Sequence, residues 1–484
     1  MGLSVYNVLG RQKVEFVPRE AGHVGIYVCG PTVQDYSHLG HAKTYVSFDM
    51  VVRWLRKNYS VLYVQNITDV GHLLESGEDR ILKKANQLAA KPWQIVEHYA
   101  RHYFDDMDKL GVQRPDISPR AGAHVPEQIK MIETLLKKEN AYVADGSVYF
   151  DVTSAPDYGK LSNRRIETQE AGSREAVRGE KRHPEDFALW KRADPEHIMR
   201  WDSPWGEGFP GWHIECSAMA KKYLGDTFDI HGGGVDNIFP HNESEIVQSE
   251  CANEAEFANY WMLVGSLNVP DSFGIPTKMS KSLGNFVTIK DALAKYRPEV
   301  IRMFALNAHY SSPVTYSDES MRGAQGGWER LNNVAWFVRS RLAVAPAGSD
   351  GSGFVARLDQ ARAAFTDAMN DDFSAPQAIA VLQDLTRDVN TLLNSDTAVG
   401  LETLKAIDTL YTELAGDVLG VIAPQQAASA DAGREAGLIE LLIEMRNAAR
   451  KAKNWAESDR IRNELAALGV VLEDRADGTV WKTQ

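Results

Sequence analysis

The feature that most constrains the fold of this chain is an apolar strand, an amphipathic helix and a second apolar strand within about forty residues. Residues 24–29 and 61–67 are apolar and β-branched, and residues 44–57 carry apolar side chains at helical spacing. A strand, helix and strand of this length form a βαβ unit, which implies a parallel sheet. Ligands of such sheets bind at the carboxyl ends of the strands, so we expect a site beside Cys29 and Thr68.

A His-Leu-Gly-His string at 38–41 lies between the first strand and the helix. A helix N-terminus offers free N–H groups and the positive end of a dipole, both of which suit phosphate. His38 and His41 can donate hydrogen bonds to phosphate oxygens, and Gly40 leaves room for a flat base. An ordinary loop can carry the same four residues, so the string alone leaves that alternative open.

A Lys-Met-Ser-Lys-Ser-Leu-Gly-Asn string at 278–285 is more specific. Lys278 and Lys281 lie three residues apart among small residues, and can wrap a triphosphate and compensate charge as pyrophosphate leaves. A solvated basic loop is the alternative for this string by itself. The two strings in this order, with most of an α/β domain between them, indicate a site that uses ATP. Together they resemble the catalytic domain of class I aminoacyl-tRNA synthetases.

Composition excludes several classes of protein. No run approaches the roughly 18 apolar residues that a membrane span requires, and Tyr6 stands where a myristoylation motif has Ser or Thr. Three cysteines, Cys29, Cys216 and Cys251, are too few for a disulfide framework and favour a reducing compartment, so we expect a cytoplasmic protein. The formal net charge of −13 argues against tight non-specific DNA binding, but it allows an RNA held by local basic patches.

Two cysteines, a histidine and a glutamate offer donors for a metal ion. Cys29 ends the first strand, Cys216 lies in a Trp-His-Ile-Glu-Cys run, and His241 and Glu245 are four residues apart, on one face of a predicted helix. Two thiolates, an imidazole and a carboxylate suit a tetrahedral zinc ion. Simple burial of lone cysteines is the alternative, because this spacing is not local as it is in a zinc finger.

These segments resemble the cysteinyl-tRNA synthetase family nearly residue for residue, and the resemblance covers essentially the whole chain. The similar stretches are 27–33, 66–69, 210–218, 228–234, 239–241 and 278–286. The resemblance implies that one zinc ion per subunit is bound by Cys29, Cys216, His241 and Glu245. It also implies that the thiolate of the substrate becomes a further ligand of that ion.

The resemblance implies roles for further residues. The amino-acid pocket is expected to be lined by Thr68, Trp212 and His231. ATP, with Mg²⁺, is expected to be bound by Gly30, Thr32, His38, Gly40, His41, Asp236 and Lys281, of which Asp236 lies near the ribose. The residues expected to act on the triphosphate are His38, His41, Lys278 and Lys281.

A metal ion solves a problem of selectivity in such a site. Serine differs from cysteine only by oxygen for sulfur, and a hydrophobic pocket separates near-isosteres only about 10- to 200-fold. Zinc binds a soft thiolate far better than a neutral hydroxyl. We therefore expect the metal to be the specificity filter, which makes an editing domain unnecessary.

The pattern along the chain predicts an α/β fold. It consists of a Rossmann-type parallel-sheet catalytic domain with an insertion, followed by a helical bundle and a small C-terminal anticodon-binding domain. The predicted bounds are 1–114 and 205–290 for the catalytic domain, 115–204 for the connective insertion, 291–320 for a stem-contact segment, 321–424 for the helical bundle and 436–484 for the C-terminal domain. Short strands are predicted at 141–143 and 148–150, and a linker at 423–433.

The C-terminal part carries a basic helix with Trp455, and it resembles the anticodon-reading tail of the family. A basic helix with an exposed Trp suits contact with an RNA backbone together with base stacking. A solvated basic helix face is the alternative. Four features depart from the family pattern. Residues 70–78 intervene before a basic helix, residues 268–276 form a longer loop, Asn242 replaces a usual second histidine, and Leu263-Val264 replaces a usual His-Asn or His-Ser.

We therefore predict a ligase that makes cysteinyl-adenylate from ATP and L-cysteine and transfers the cysteinyl group to the 3′ end of tRNA(Cys). We expect a monomer with no membrane partner. One alternative is a cysteine ligase that acts on a small-molecule amine, as in mycothiol biosynthesis; it would not need the residues after about 425. Another is a non-catalytic RNA-binding paralogue, which would have lost the ATP strings or the zinc ligands; this chain has lost neither.

Overall fold

The computed structural model describes residues 2–70, 80–164, 181–194, 197–271, 274–279, 285–348, 351–395, 398–422, 430–475 and 478–483. Lys281 and residues 71–78 lie outside the described residues, and so do the predictions that concern them. The chain divides into two compact units, Met1–Ile422 and Ala423–Gln484.

The strands and α-helices follow one another along the chain as predicted, with strands and helices alternating in the first part and helices dominating later. The strands are β1 (Ser4–Asn7), β2 (Gln12–Glu15), β3 (His23–Val28), β4 (Ser60–Gln65), β5 (Ala141–Ala144), β6 (Ser147–Phe150), β7 (Phe187–Arg192), β8 (Gly208–Pro210), β9 (Phe228–Gly234), β10 (Ala258–Val264), β11 (Leu267–Pro270), β12 (Pro276–Lys278), β13 (Val314–Thr315), β14 (Val470–Arg475) and β15 (Gly478–Thr483). The α-helices are α1 (Leu39–Leu55), α2 (Arg80–Gln87), α3 (Pro92–Lys109), α4 (Val125–Lys137), α5 (Trp212–Leu224), α6 (Glu243–Asn253), α7 (Ile289–Leu293), α8 (Pro298–Leu306), α9 (Asp318–Leu342), α10 (Val355–Asn370), α11 (Ala375–Leu393), α12 (Leu401–Tyr411), α13 (Ala430–Lys451) and α14 (Trp455–Ala467).

A parallel sheet in the order β10–β9–β3–β4 forms the centre of the first unit. The connection of β3 to β4 through α1 confirms the predicted βαβ unit, although α1 begins at Leu39 rather than at residue 44 because His38 caps its N-terminus. β3 also pairs with β9, so the strand order reverses between these two strands. Ligands of open α/β sheets bind in the crevice at such a reversal, outside the carboxyl ends of the strands.

The start of α1 lies close to this crevice because the helix packs tightly on β9. A Cβ atom at Gly232 would stand 2.3 Å from the ring of Phe48, so a side chain there would push the helix away. Phe48 and most of the other α1 residues are buried. The sheet is covered in this way by apolar helices, as parallel sheets generally are.

The segment between the two halves of the parallel sheet forms an antiparallel sheet in the order β5–β6–β7–β8. β5 and β6 confirm the two short strands that the sequence predicts. β8 ends at Pro210, and after Gly211 the chain enters α5 directly. A Cβ atom at Gly211 would stand 1.9 Å from the carbonyl oxygen of Ala188 in β7, so this junction needs glycine.

Helices α9 to α12 pack on one another and belong to the first unit. The turn between α10 and α11 is joined to the N-terminal strand by Asp372. Its carboxylate accepts hydrogen bonds from the Tyr6 N–H and the Tyr310 hydroxyl, both at 2.8 Å. This contact fixes the helical part of the first unit to its α/β part.

The second unit contains α13, α14 and the antiparallel hairpin of β14 and β15. Its apolar core consists of Ile439, Ile443, Ile461, Leu465 and Val470. Because α13 begins at Ala430, the predicted linker is wrong over residues 430–433. Within the described ranges, none of the helices combines the length and the apolar character that crossing a bilayer requires.

Candidate active site and metal centre

A cavity of about 720 Å³ lies at the carboxyl ends of β3 and β9, where the order of the strands reverses. Most of the predicted site residues line it: Cys29, Gly30, Thr32, His38, Gly40, His41, Thr68, Trp212, Cys216, Asp236, His241 and Lys278. Glu245 and His231 are buried behind this wall. The structure therefore brings the two sequence strings and the predicted metal ligands to one place.

The four predicted metal ligands converge from separate segments of the chain. Cys29, Cys216, His241 and Glu245 each offer one donor atom, and these atoms lie within 4.8 Å of one another. Glu245 Oε1 is 3.6 Å from Cys29 Sγ and 3.3 Å from His241 Nε2. His241 lies in a wide helical turn, Ile238–Asn242, that leads directly into α6, which brings it beside Glu245.

The four side chains shift one another's pKa values. The Cys216 side chain lowers the pKa of Cys29, but burial and Glu245 outweigh it and raise that pKa to about 11. Burial, together with Cys29 and Glu245, raises the pKa of Cys216 well above its usual value. Burial lowers the pKa of His241, but Glu245 and Cys216 raise it to about 10. Burial raises the pKa of Glu245, yet His231 and His241 hold it well below its usual value.

Two thiols that deprotonate only at alkaline pH need a positive charge beside them to become thiolates. A metal ion provides that charge, and its binding releases the thiol protons. The donor set of two sulfurs, an imidazole and a carboxylate matches the ligands of zinc and is poorly suited to calcium or magnesium, which prefer oxygen. The residues present therefore fit a zinc ion.

Two buried neighbours orient the ligands. His213 Nδ1 lies 2.9 Å from His241 Nδ1, which leaves the other ring nitrogen of His241 for a metal. Asn242 Nδ2 donates to Glu245 Oε2 at 2.8 Å. His213 is not predicted from the sequence, although its position three residues before Cys216 on α5 places both on one helix face. From the sequence, Asn242 is only a departure from the family pattern.

The structure places His231 apart from the cavity. Its side chain is fully buried, stacks on Trp261 with ring centroids 4.2 Å apart, and places Nε2 3.0 Å from Glu245 Oε2. Trp212, by contrast, lines the cavity and stacks on His241 at 4.4 Å. Of these two predicted pocket residues, only Trp212 is therefore on the surface that a ligand would meet.

The backbone fixes which nitrogens of the two string histidines carry protons. His38 Nδ1 accepts from the Gly40 N–H at 3.0 Å, and His41 Nδ1 accepts from the His38 N–H at 3.2 Å. In the neutral rings the proton is then on Nε2 of each. Burial and the nearby His38 lower the pKa of His41 well below its usual value, so this ring donates as a neutral group.

The glycines of this region are required by close approaches. A Cβ atom at Gly30 would stand 1.5 Å from the carbonyl oxygen of Asn66. A Cβ atom at Gly40 would stand 2.8 Å from the His38 ring, so a larger residue at this position would displace the imidazole. The backbones of Thr32 and Thr68 form an isolated parallel β-bridge, which joins the loop after β3 to the loop after β4.

The second string begins at the end of β12. Lys278 Nζ forms an ion pair with Asp236 at 2.8 Å, and both side chains are more than half exposed. After the string, the Leu39 N–H donates to Val287 O at 3.1 Å, and the Ile289 N–H donates to Ser37 O at 2.9 Å. The segment that follows the string is thus attached to the start of α1.

Lys43 connects the same helix to the strand that precedes the string. Its side chain is buried, and Nζ donates to the carbonyl oxygens of Gly265 and Ser312 at 2.6 Å and of Tyr310 at 3.3 Å. Gly265 lines the cavity just before β11, which pairs with β12. The role of Lys43 is not predicted from the sequence, because a lysine in an amphipathic helix is normally exposed.

Three families match successive parts of the chain. Residues 15–326 match the family described as "tRNA synthetases class I (C) catalytic domain". Residues 364–423 match the "DALR domain", and residues 438–481 match the "Cysteinyl-tRNA ligase anticodon binding domain". The matched catalytic segment includes both strings and all four of the converging ligands.

Proteins of similar sequence and fold agree with these matches. A cysteine–tRNA ligase of Deinococcus radiodurans is 48% identical over 491 residues, which cover 99% of this chain and 96% of the relative. One of Chlorobium luteolum is 47% identical and covers 99% of each chain. The structure of Mycobacterium tuberculosis methionyl-tRNA synthetase with methionyl-adenylate has a TM-score of 0.59 at 15% identity, over 85% of this chain and 96% of that one. This likeness in fold confirms the predicted α/β class.

Proposed function

The chain belongs to the cysteine–tRNA ligase family of class I aminoacyl-tRNA synthetases, and on this premise we propose how its residues carry out the family's reaction. ATP and L-cysteine form cysteinyl-adenylate with release of pyrophosphate, and the cysteinyl group then passes to the 3′ end of tRNA. The observation that carries this function is that one cavity is bordered by both ATP strings and by a thiol-rich metal set. The small-molecule amine alternative gains no support, since residues 438–481 match an anticodon-binding family.

We propose that Cys29, Cys216, His241 and Glu245 hold one zinc ion. When bound, zinc supplies a soft Lewis-acid position that takes the substrate's thiolate and disfavours a hydroxyl. The convergence of the four donor atoms and their burial support this assignment. His231 supports it further by orienting Glu245, a role that the structure favours over contact with the amino acid.

On the ATP side, His38 and His41 donate from Nε2 to phosphate oxygens, and Lys278 and Lys281 compensate charge as pyrophosphate leaves, with Mg²⁺. Lys278 exchanges its partner Asp236 for the triphosphate, which frees the carboxylate for the ribose. The remaining residues that we propose to border the substrates are Gly30, Thr32, Gly40, Thr68 and Trp212. Catalysis consists mainly of positioning and charge stabilisation.

The second unit is proposed to read the anticodon of tRNA(Cys). Trp455 at the start of α14 is 59% exposed and follows the basic residues that end α13, which suits base stacking beside phosphate contacts. The predicted domain bounds, a monomeric state and a location in the cytoplasm remain part of this proposal. Light scattering of the purified chain measures the monomer directly.

Two assays test the function. Full-length protein should catalyse cysteine-dependent ATP–pyrophosphate exchange and charge tRNA(Cys), whereas a chain that ends at Ile422 should retain exchange and lose charging. Exchange that proceeds equally well with serine would contradict the zinc filter. Charging that survives removal of residues 423–484 would contradict the role of the second unit.

A further inference from the structure

The thioether of Met279 connects the start of the second string to the segment that follows it, and the proposed mechanism gives this side chain no role. Met279 Sδ accepts a hydrogen bond from the Val287 N–H at 3.2 Å. Val287 O in turn accepts from the Leu39 N–H at 3.1 Å. A Cβ atom at Gly40 would stand 3.9 Å from the methyl carbon of Met279. The side chain therefore lies where the two strings meet at the start of α1.

Met279 is also accessible to solvent, which is unusual for a methionine of this chain. Within the described residues, every methionine other than Met279 and Met445 is at most 5% exposed. Met279 is partly exposed and lines the cavity, whereas Met445 is 49% exposed on α13 of the second unit. An oxidant in solution therefore meets these two sulfur atoms before any other methionine that the structure describes.

Oxidation would change the contacts of the Met279 side chain. Hydrogen peroxide transfers one oxygen atom to a lone pair of Sδ, its O–O bond breaks and water leaves, so the thioether becomes a sulfoxide. The sulfoxide is larger and polar, but Met279 packs against the apolar core of the first unit. A polar group without a partner is unfavourable in such surroundings. The oxidised side chain therefore has to leave its place beside Val287.

We propose that Met279 is an oxidation site at which a peroxide lowers the rate of cysteine activation. Lys278 directly precedes Met279, so displacement of the thioether also shifts the amine that we assign to the triphosphate. The inference rests on the proposed function, because the rate that oxidation lowers is that of the proposed reaction. Methionine sulfoxide reductases convert the sulfoxide back to the thioether, so the loss of activity is reversible.

The test treats the zinc-loaded, full-length chain with hydrogen peroxide and then with a phosphine reductant, which reverses the oxidation of thiols to sulfenic acids and disulfides. Peptide mass spectrometry follows the gain of one oxygen atom at Met279 and at Met445. Once Met279 is converted, kcat for ATP–pyrophosphate exchange should fall about 10-fold, because a hydrogen bond is lost and a polar group is placed in apolar packing. KM for L-cysteine and zinc content should stay unchanged. Methionine sulfoxide reductase should restore kcat.

Two variants identify the sulfur atom responsible. Met279→Leu keeps an apolar side chain without an oxidisable sulfur, and Met445→Leu is the matched control. Each variant is compared with its own untreated activity, because leucine cannot accept the hydrogen bond from Val287. After peroxide, Met279→Leu should retain its activity, whereas Met445→Leu should lose as much as the unmodified chain.

Three results would overturn the proposal. These are equal losses in Met279→Leu and the unmodified chain, a loss that the phosphine alone reverses, and complete conversion of Met279 without a change in kcat. If Met279→Leu fails to fold, recovery of kcat in step with removal of the oxygen from Met279 still decides the question. Failure of the untreated, unmodified protein to support cysteine-dependent exchange would instead refute the proposed function itself.

Discussion

The four proposed metal ligands, which we call the metal set, are at most 5% exposed: Cys29, Cys216, His241 and Glu245. The buried side chains of His213 and Asn242 contact two of them. On the triphosphate side of the same cavity, the side chains of Lys278 and Asp236 are 61% and 53% exposed. Recognition of a thiol requires donors that are dry and fixed before the substrate arrives. Handling a triphosphate requires groups that can exchange partners as pyrophosphate leaves. We therefore expect substitutions among the four metal ligands to alter zinc content and the affinity for cysteine. Substitutions on the triphosphate side should instead alter the rate of cysteine activation.

The largest effect is expected for Cys216→Ser. Removing one thiolate from a four-donor set should abolish stoichiometric zinc, and cysteine activation should fall at least about 10³-fold because the thiol filter is lost. Elemental analysis and ATP–pyrophosphate exchange measure the two quantities. Cys251→Ser is the matched control: Cys251 lies outside the set, and its variant should keep both properties. Normal zinc in Cys216→Ser would remove that residue from the site.

Lys278→Met tests the other side of the cavity. The loss of a cation that compensates the leaving pyrophosphate should lower the rate of activation about 10²- to 10³-fold. Zinc content and the melting temperature should stay unchanged, because an ion pair this exposed contributes little to stability. Lys295→Met, at an exposed lysine that does not line the cavity, serves as the control. A fall in zinc content in Lys278→Met would contradict the expectation that the triphosphate side does not affect zinc binding.

A smaller effect is expected where a neighbour only orients a ligand. Asn242→Ala removes the hydrogen bond to Glu245 and should weaken zinc binding about 10- to 100-fold, as measured by competition with a chelator. Asn242→His restores a donor and the residue usual in the family, so its zinc affinity should lie near that of the unmodified chain. Equal zinc affinities in the Ala variant and the unmodified chain would show that Glu245 needs no such support.

Lys43 is an exception to the difference in burial between the two sides of the cavity, because it lies on the triphosphate side and is buried. Burial lowers its pKa to about 8, from 10.5 in the unfolded chain. Between these values the unfolded chain binds more protons, so the free energy of unfolding should rise with pH relative to that of Lys43→Met. The gain should reach at most about 1.4 kcal/mol per pH unit. Urea unfolding between pH 7.5 and 9.5 measures the slope.

The matched control for this measurement is Lys109→Met, which replaces an exposed lysine at the end of α3. Its unfolding free energy should run parallel to that of the unmodified chain at every pH. If the unfolding free energy of Lys43→Met also runs parallel to that of the unmodified chain, the amine of Lys43 does not lose its proton in this pH range.

The sequence was sufficient for the features that local patterns encode. The βαβ unit follows from two apolar strands and a periodic helix. The predicted metal ligands follow from a resemblance in which Cys29, Cys216 and His241 lie in recognisable strings, and Glu245 follows His241 by four residues. Lys43 and His213 could not be assigned roles in this way. Their roles depend on partners more than twenty residues away, such as Gly265 and His241. The burial of His231 could not be predicted either, because a residue near the end of a strand can face either a cavity or a helix layer.

The junction of β8 with α5 limits how this enzyme can be shortened. The antiparallel sheet looks like a removable module, but its last strand, β8, places Gly211 in close contact with β7. This contact sets where α5 begins, and α5 carries Trp212 and Cys216. A minimal synthetase made by excising this sheet would lose the support that aligns one of its two sulfur donors. Any trimmed or chimeric version must therefore keep β7 and β8, or replace them with another brace for the start of α5.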